Sequence, residues 1–248
     1  MFGTRLAAAF PACVLALCVS LPAPSGEAKD DNAASGLIRA EDAGWKLAFR
    51  DDFKRKELGP DWIVFEGKWE IEDGWLRGSG TLVSARGFPP GDAVGFQRIE
   101  LEAVTDVQPI IFFPNKPKPK VMVCDISPFI HASPPAKGRK AKNPLTTGYF
   151  FQFGGMNNTL NQIRKEGVSI LADREPKKLI TQDKVHHIVA ENDQGRLRLY
   201  VDGVKVLDYK EKMSVTGPKH NRFGLYLNTA AKVRSIKLYV KPLPDGLE

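Results

Sequence analysis

Arg196-Leu197-Arg198-Leu199-Tyr200-Val201-Asp202-Gly203-Val204-Lys205-Val206-Leu207-Asp208-Tyr209 is the stretch that decides the fold. Leu197, Leu199 and Val201 alternate with Arg198 and Tyr200, the period-two pattern of a strand with one buried and one wet face. Asp202-Gly203 supplies the two residues that tolerate positive φ in a tight turn, and Val204 to Leu207 leads the chain back. The same pattern recurs upstream. Lys68-Trp69-Glu70-Ile71-Glu72 alternates, Asp73-Gly74 turns, and Trp75-Leu76-Arg77 returns. Lys46 to Phe53 reads as an opening strand. Phe96 to Thr105 places Ile99, Leu101 and Ala103 on one face and Glu100 and Glu102 on the other. Arg222 to Asn228 and Lys232 to Val240 read as two closing strands. No stretch has a convincing helical period. Short strands separated by Gly, Pro and Asp turns predict an all-β sandwich of two antiparallel sheets, with under about a tenth of residues in helix.

One region breaks the rhythm. Phe113 to Pro144 carries two Pro/Lys-rich stretches, Pro114 to Lys120 and Ser133 to Asn143, around the apolar run Val121 to Ile130. The reading is two long loops flanking a buried strand, either solvated linkers or the rim of a ligand cleft. Cys124, inside that run, is expected as a buried free thiol.

The beginning of the chain has the layout of a secretory leader: Arg5, an apolar stretch from Leu6 to Leu21, then small residues and prolines. Small residues at Gly26 and Ala28 place the expected cleavage after Ala28. Leu17 directly before Cys18 is a poor lipoprotein signal, so a lipid anchor is the lesser alternative. Cys13 and Cys18 leave with the leader, and Cys124 is left without an intramolecular partner. The expected organisation is a leader over 1–28, a flexible tether over 29–44, a sandwich over 45–241 and a tail over 242–248. No later apolar segment has membrane-spanning length. The net charge is +7, either a solvated basic surface or one suited to anionic partners, and no nucleic-acid motif accompanies it. The sequence leaves the oligomeric state open.

Asp51-Asp52-Phe53, then Leu58-Gly59-Pro60-Asp61-Trp62, then Gly67-Lys68-Trp69-Glu70-Ile71-Glu72-Asp73-Gly74 resembles the start of a concanavalin A-like module. The Gly195 to Gly203 hairpin and Phe223-Gly224-Leu225-Tyr226 resemble its end. Over residues 45 to 241 the chain is similar to the 3-keto-disaccharide hydrolase (glucanase-like) and laminin-G-like domains of secreted bacterial proteins. The resemblance implies a concanavalin A-like jelly-roll sandwich and a carbohydrate ligand, with glycoside hydrolysis or a non-catalytic interaction role as the two functional classes. Two departures matter. Glu100-x-Glu102 followed by Asp106 lacks the Glu-x-Asp-x-x-Glu pattern of laminarinase-type glucanases. Gly148 to Asn158 lacks the Asn-Ser-Gly segment of the hydrolase relatives. No catalytic residue is therefore carried over.

Read as chemistry, Tyr149 to Arg164 is the most unusual segment. Gln152, Asn157, Asn158, Asn161 and Arg164 are the candidate ligand-binding residues, because amides donate and accept at once, as sugar hydroxyls require. Gln162 belongs to the same string, and Gly154-Gly155 would admit a ligand close to the backbone. The alternative is a polar turn with amides capping their own backbone. Asp125, Glu100 and Glu102 are the candidate catalytic carboxyls. Asp125 lies in an apolar run where an unpaired carboxylate is costly. Glu100 and Glu102 lie about 7 Å apart on one strand face, within the ~5–10 Å that glycosidases use, and equally fit the wet face of a sheet. His131, His186, His187 and His220 lack zinc-site spacing. No cofactor is expected; calcium at Asp51 or Asp52 is the one ion left open. Of Trp45, Trp62, Trp69 and Trp75, an exposed indole would stack on a sugar ring.

Overall fold

The structure is a computed structural model that describes residues 37–90, 95–105, 109–110, 120–121, 125–135 and 142–243. The described residues form strands β1 (Lys46–Asp51), β2 (Trp62–Glu72), β3 (Trp75–Ser84), β4 (Gly95–Thr105), β5 (Pro109–Ile110), β6 (Lys120–Val121), β7 (Ile126–Ala132), β8 (Tyr149–Gly154), β9 (Leu160–Lys165), β10 (Val168–Asp173), β11 (His186–Asp193), β12 (Arg196–Val201), β13 (Val204–Lys210) and β14 (Arg222–Pro242). The leader, Cys124, Asp106 and most of the two Pro/Lys-rich stretches lie outside the described residues.

Every pairing is antiparallel, and the two layers share β14. Its first part lies between β7 and β3, with Tyr226 level with both Ser127 and Thr81. Its second part lies between β4 and β1. The register shifts between Leu227 and Ala231. The two expected closing strands are therefore one strand of 21 residues. The alternation slips by one step where the partners change, so the sequence shows a break that the hydrogen-bond ladder bridges. The first layer runs β10-β9-β8-β7-β14-β3-β2, and the second runs β13-β12-β11-β4-β14-β1.

Residues from both layers meet in one core. Leu82, Ile130, Phe151, Ile163 and Leu225 come from the first layer, and Ile99, Leu101, Ile188, Leu199 and Leu238 from the second. Each such side chain contributes about 1.5–3 kcal/mol on leaving water. Both Asp-Gly turns have positive φ at both positions: 52° and 75° at Asp73-Gly74, 51° and 77° at Asp202-Gly203. That backbone twist matches the strands on either side.

The opening motif is a structural clasp. The Asp51 carboxylate accepts from Arg55 Nη1 and Nη2 at 2.6 and 2.7 Å, from Trp62 Nε1 at 2.8 Å and from the Phe53 amide at 2.9 Å. Burial alone would raise its pKa, but these donors hold it below the ordinary carboxylate value. With four donors already on its two oxygens, Asp51 has little left for calcium. Asp52 faces Arg50 and Lys54 at the surface. Trp62 is buried against Phe49, Phe53 and Phe223. The described part of the expected tether also differs. Residues 37–44 form a turn whose Ala40 packs with Trp45, Phe96 and Tyr239, and the Ile38 carbonyl accepts from Arg98 at 3.2 Å.

Candidate functional site

The first layer has a second, smaller apolar cluster on the face turned away from the core. Val83, Phe129, Ala132 and Phe150 are buried there, with Phe65, Leu145 and Tyr226 packed against them. A strand's side chains alternate between faces, so the neighbours two positions along these strands share this outer face. They are Thr81 on β3, Ser127 on β7, Gln152 on β8 and Arg222 on β14. In sheet register a polar row forms: Thr81, Tyr226 and Ser127 lie level, and Gln152 lies level with Gln162. The apolar row beside it runs Val83, Gly224, Phe129, Phe150. Gly224 is small for a reason: a Cβ there would stand 2.4 Å from the Phe129 ring.

Asp125 closes the row. It precedes β7 with φ at 55°, its amide pointing at the Gly154 carbonyl and its carbonyl accepting from the Asn228 amide. Its Oδ2 accepts from Gln152 Nε2 at 2.6 Å, and Gln152 Oε1 accepts in turn from Gln162 Nε2. Gln162 therefore fixes which way the Gln152 amide points, and Gln152 aims a donor at the carboxyl. Asp125 Oδ1 is buried with no hydrogen-bond partner. Burial pushes the Asp125 pKa up to about 6, the Gln152 hydrogen bond opposing it. Below that pH the side chain is a carboxylic acid, able to donate as well as accept. Ser127 Oγ and Thr81 Oγ1 are likewise buried without partners. Buried polar atoms nearly always have partners, so such a concentration on one face asks for an explanation. Tyr226, half-buried, meets Phe150 edge-on at 5.8 Å, and its hydroxyl donates to Asn228 Oδ1 at 2.9 Å.

The structure divides the candidate residues. It joins Gln152 to Asp125 directly. Asn158 and Asn161 have a different occupation. Asn158 donates to the Ile180 carbonyl at 2.8 Å and accepts from its amide at 2.9 Å. Asn161, fully buried, accepts from the Gly154 amide at 3.0 Å and donates to the Lys178 carbonyl at 2.8 Å. Both amides pin the segment after β10 to the β8–β9 turn, the backbone-capping alternative. Asn157 is exposed in that turn, where Met156, Asn157 and Asn158 all have positive φ. Arg164 donates to the Gly167 carbonyl across its own hairpin at 3.1 Å. Gly155 leaves no space for a ligand, because a Cβ there would stand 2.5 Å from the Gln152 amide. Thr81, Ser127, Tyr226 and Arg222 were not singled out from sequence. Their shared face exists only through pairing of β3, β14 and β7.

Glu100 and Glu102 lie on the outer face of the second layer. Glu100 pairs with Arg98 at 2.8 Å and Glu102 with Arg234 at 3.8 Å. Shallow depressions cross this face, one of about 270 Å³ bordered by Glu100, His187 and Lys237, another of about 490 Å³ bordered by Arg50, Trp75 and Glu102. Beside them Arg98, 3% exposed, reaches Glu191 at 3.2 Å, and Arg198 reaches the same carboxylate at 2.8 Å. His131, His186 and His220 serve the fold. His186 accepts from the Thr181 amide and faces Asp202. His131 is buried, which pulls its pKa down to about 3. Among the described residues no group of three His, Cys, Asp or Glu can hold a metal ion, and no helix is long and apolar enough to cross a membrane.

No protein-family model matches the chain, and no curated protein matches it. Solved structures do. A Bacillus subtilis protein of unknown function with a galectin-like fold is 14% identical, with a TM-score of 0.54 over 79% of this chain and 99% of that one. The carbohydrate recognition domain of Emp47p is 13% identical, with a TM-score of 0.51 over 78% and 96%. The Bacillus licheniformis β-glucanase is 13% identical, with a TM-score of 0.50 over 78% and 97%. At these identities the likeness is one of fold: this chain has a jelly-roll β-sandwich fold like theirs.

Proposed function

We propose that this chain is an exported carbohydrate-binding protein whose sugar site is the outer face of β7, β8, β9 and the first part of β14. One observation carries the reading: the relay Gln162–Gln152–Asp125 and the partnerless Asp125 Oδ1, Ser127 and Thr81 oxygens adjoin the half-buried Tyr226 ring. Sugar hydroxyls supply the donors and acceptors such atoms need, and aromatic rings supply a stacking surface. The carbohydrate recognition domain and the β-glucanase among the fold neighbours support the same class of ligand. The leader expected over 1–28 from the sequence supports export. Asp125 contributes one carboxyl of the two that glycoside hydrolysis employs; binding requires no second.

The test is a glycan array and affinity electrophoresis with the mature chain. Gln152→Ala and Gln162→Ala should each weaken binding about tenfold, the worth of one hydrogen bond left unmade, with little change in Tm. Unchanged binding in both variants refutes the site. The depressions over the second layer favour a laminin-G-like interaction role as the other reading. Loss of ligand on Lys237→Ala or Trp75→Ala, with Gln152→Ala silent, would select it.

A further inference from the structure

Arg222 is the exception among the buried and half-buried arginines. Arg98 and Arg198 share Glu191, and each has another carboxylate as well. Arg222 Nε and Nη1 are buried with no hydrogen-bond partner, and burial is the one influence on its charge, lowering its affinity for the proton. A guanidinium stays charged at any working pH, and half-burying it with no counter-ion among the described residues carries a desolvation cost. Its position is as telling as its isolation. On β14, Arg222, Gly224 and Tyr226 alternate with the core residues Phe223 and Leu225. Arg222 is level with Ala132, a member of the outer-face cluster. It therefore stands on the same face as the polar row, about 13 Å along the strand from Tyr226. The Phe129–Gly224 contact forms the floor between them.

We infer that the ligand of this face is an anionic glycan, and that Arg222 binds its carboxylate or sulfate while the Gln152–Asp125 end takes neutral hydroxyls. The inference rests on the sugar-site reading above. The planar guanidinium fork matches a carboxylate or sulfate with two parallel hydrogen bonds. A ligand anion also supplies the counter-charge that the described residues do not. The spacing along β14 is enough for more than one sugar ring, so an oligosaccharide reaches both ends. The net charge of +7 draws such a polymer in from a distance.

Affinity electrophoresis through polygalacturonate, methyl-esterified polygalacturonate, carrageenan and desulfated carrageenan tests this, with Arg222→Gln, Arg222→Lys and Gln152→Ala beside the parent chain. The parent should bind one charged polymer at least about tenfold more tightly than its neutralised form. Polygalacturonate would identify a carboxylate, carrageenan a sulfate. Arg222→Gln should reduce that preference to about twofold or less without lowering Tm. Arg222→Lys keeps the charge, so it should fold and lose part of the preference with the fork. Equal binding of charged and neutralised polymers by the parent, no binding of any of them, or a preference that survives Arg222→Gln overturns the inference. If Gln152→Ala abolishes binding while Arg222→Gln leaves the preference intact, Arg222 alone is wrong. If Gln152→Ala changes nothing, the site itself is wrong.

Discussion

The two outer faces of the sandwich bury charge in opposite ways. On the second layer, Arg98, Glu100, Glu191, Arg198, Asp193 and Lys241 form a chain of ion pairs between 2.8 and 3.4 Å. Arg198 Nε is the one partnerless atom in that network among the described residues. On the first layer, the buried Asp125, Ser127 and Thr81 and the half-buried Arg222 leave five buried polar atoms without partners among the described residues. A completed network needs nothing from outside and holds neighbouring strands together. An incomplete one lowers stability unless something else completes it. Glu191 and Asp125 show the contrast in miniature. Burial raises both pKa values, but two arginines oppose the rise at Glu191 and one amide opposes it at Asp125.

The largest effect should come from breaking the completed face. Arg98→Ala leaves Glu191 and Glu100 short of a partner and should cost about 3–5 kcal/mol in denaturant unfolding. Binding to glycans by the surviving folded protein should be unaffected. A loss below about 1 kcal/mol would mean that the network is not a structural unit.

Asp125→Asn should act in the reverse sense. The folded-state pKa of Asp125 is raised, so its contribution to stability is fully present below pH 3.8 and is lost as pH rises through about 6. Over that window the parent chain should lose roughly 3 kcal/mol relative to the variant. Urea unfolding should therefore find Asp125→Asn equal to the parent near pH 4 and more stable at pH 7, while its glycan binding falls. A gain in stability coupled to a loss of binding is the signature of a strained functional site. A flat difference between pH 4 and 7 would count against it.

The amide-rich segment should split in two. Asn158→Ala and Asn161→Ala each strand backbone groups of the 178–180 stretch and should lose about 1–3 kcal/mol. Thermal melts beside the binding data for Gln152→Ala separate the structural amides from the ligand amides. If all three amide variants behave alike, the segment has one role, not two. The smallest effect belongs to Glu102→Gln. Its pair with Arg234 is exposed on both sides, so stability should change by under about 0.5 kcal/mol. A tenfold loss of glycan binding in that variant would move the site to the second layer.

The sequence by itself determined the elements. Alternation in Leu197, Leu199 and Val201 and the Asp-Gly turns are local signals, because side-chain direction and turn φ are set within a few residues. The Asp51–Trp62 stretch was legible as a resemblance, but its role as a clasp was not: only the structure brings Arg55 and Trp62 onto the Asp51 carboxylate. Gln152 was legible as chemistry and Asp125 as an anomaly, a carboxyl in an apolar run. Only the tertiary structure decided which amides are free for a ligand, since Asn158 and Asn161 are satisfied by Ile180 and Lys178, well beyond their own strand. Only it made one strand of Arg222 to Pro242, through partners far away in sequence. It also gave Arg222 its meaning. In the sequence Arg222 is one more basic residue of a basic chain. Its lack of a counter-ion among the described residues is a property of β7 and β14 lying side by side, and a one-dimensional pattern carries no record of which strands pair.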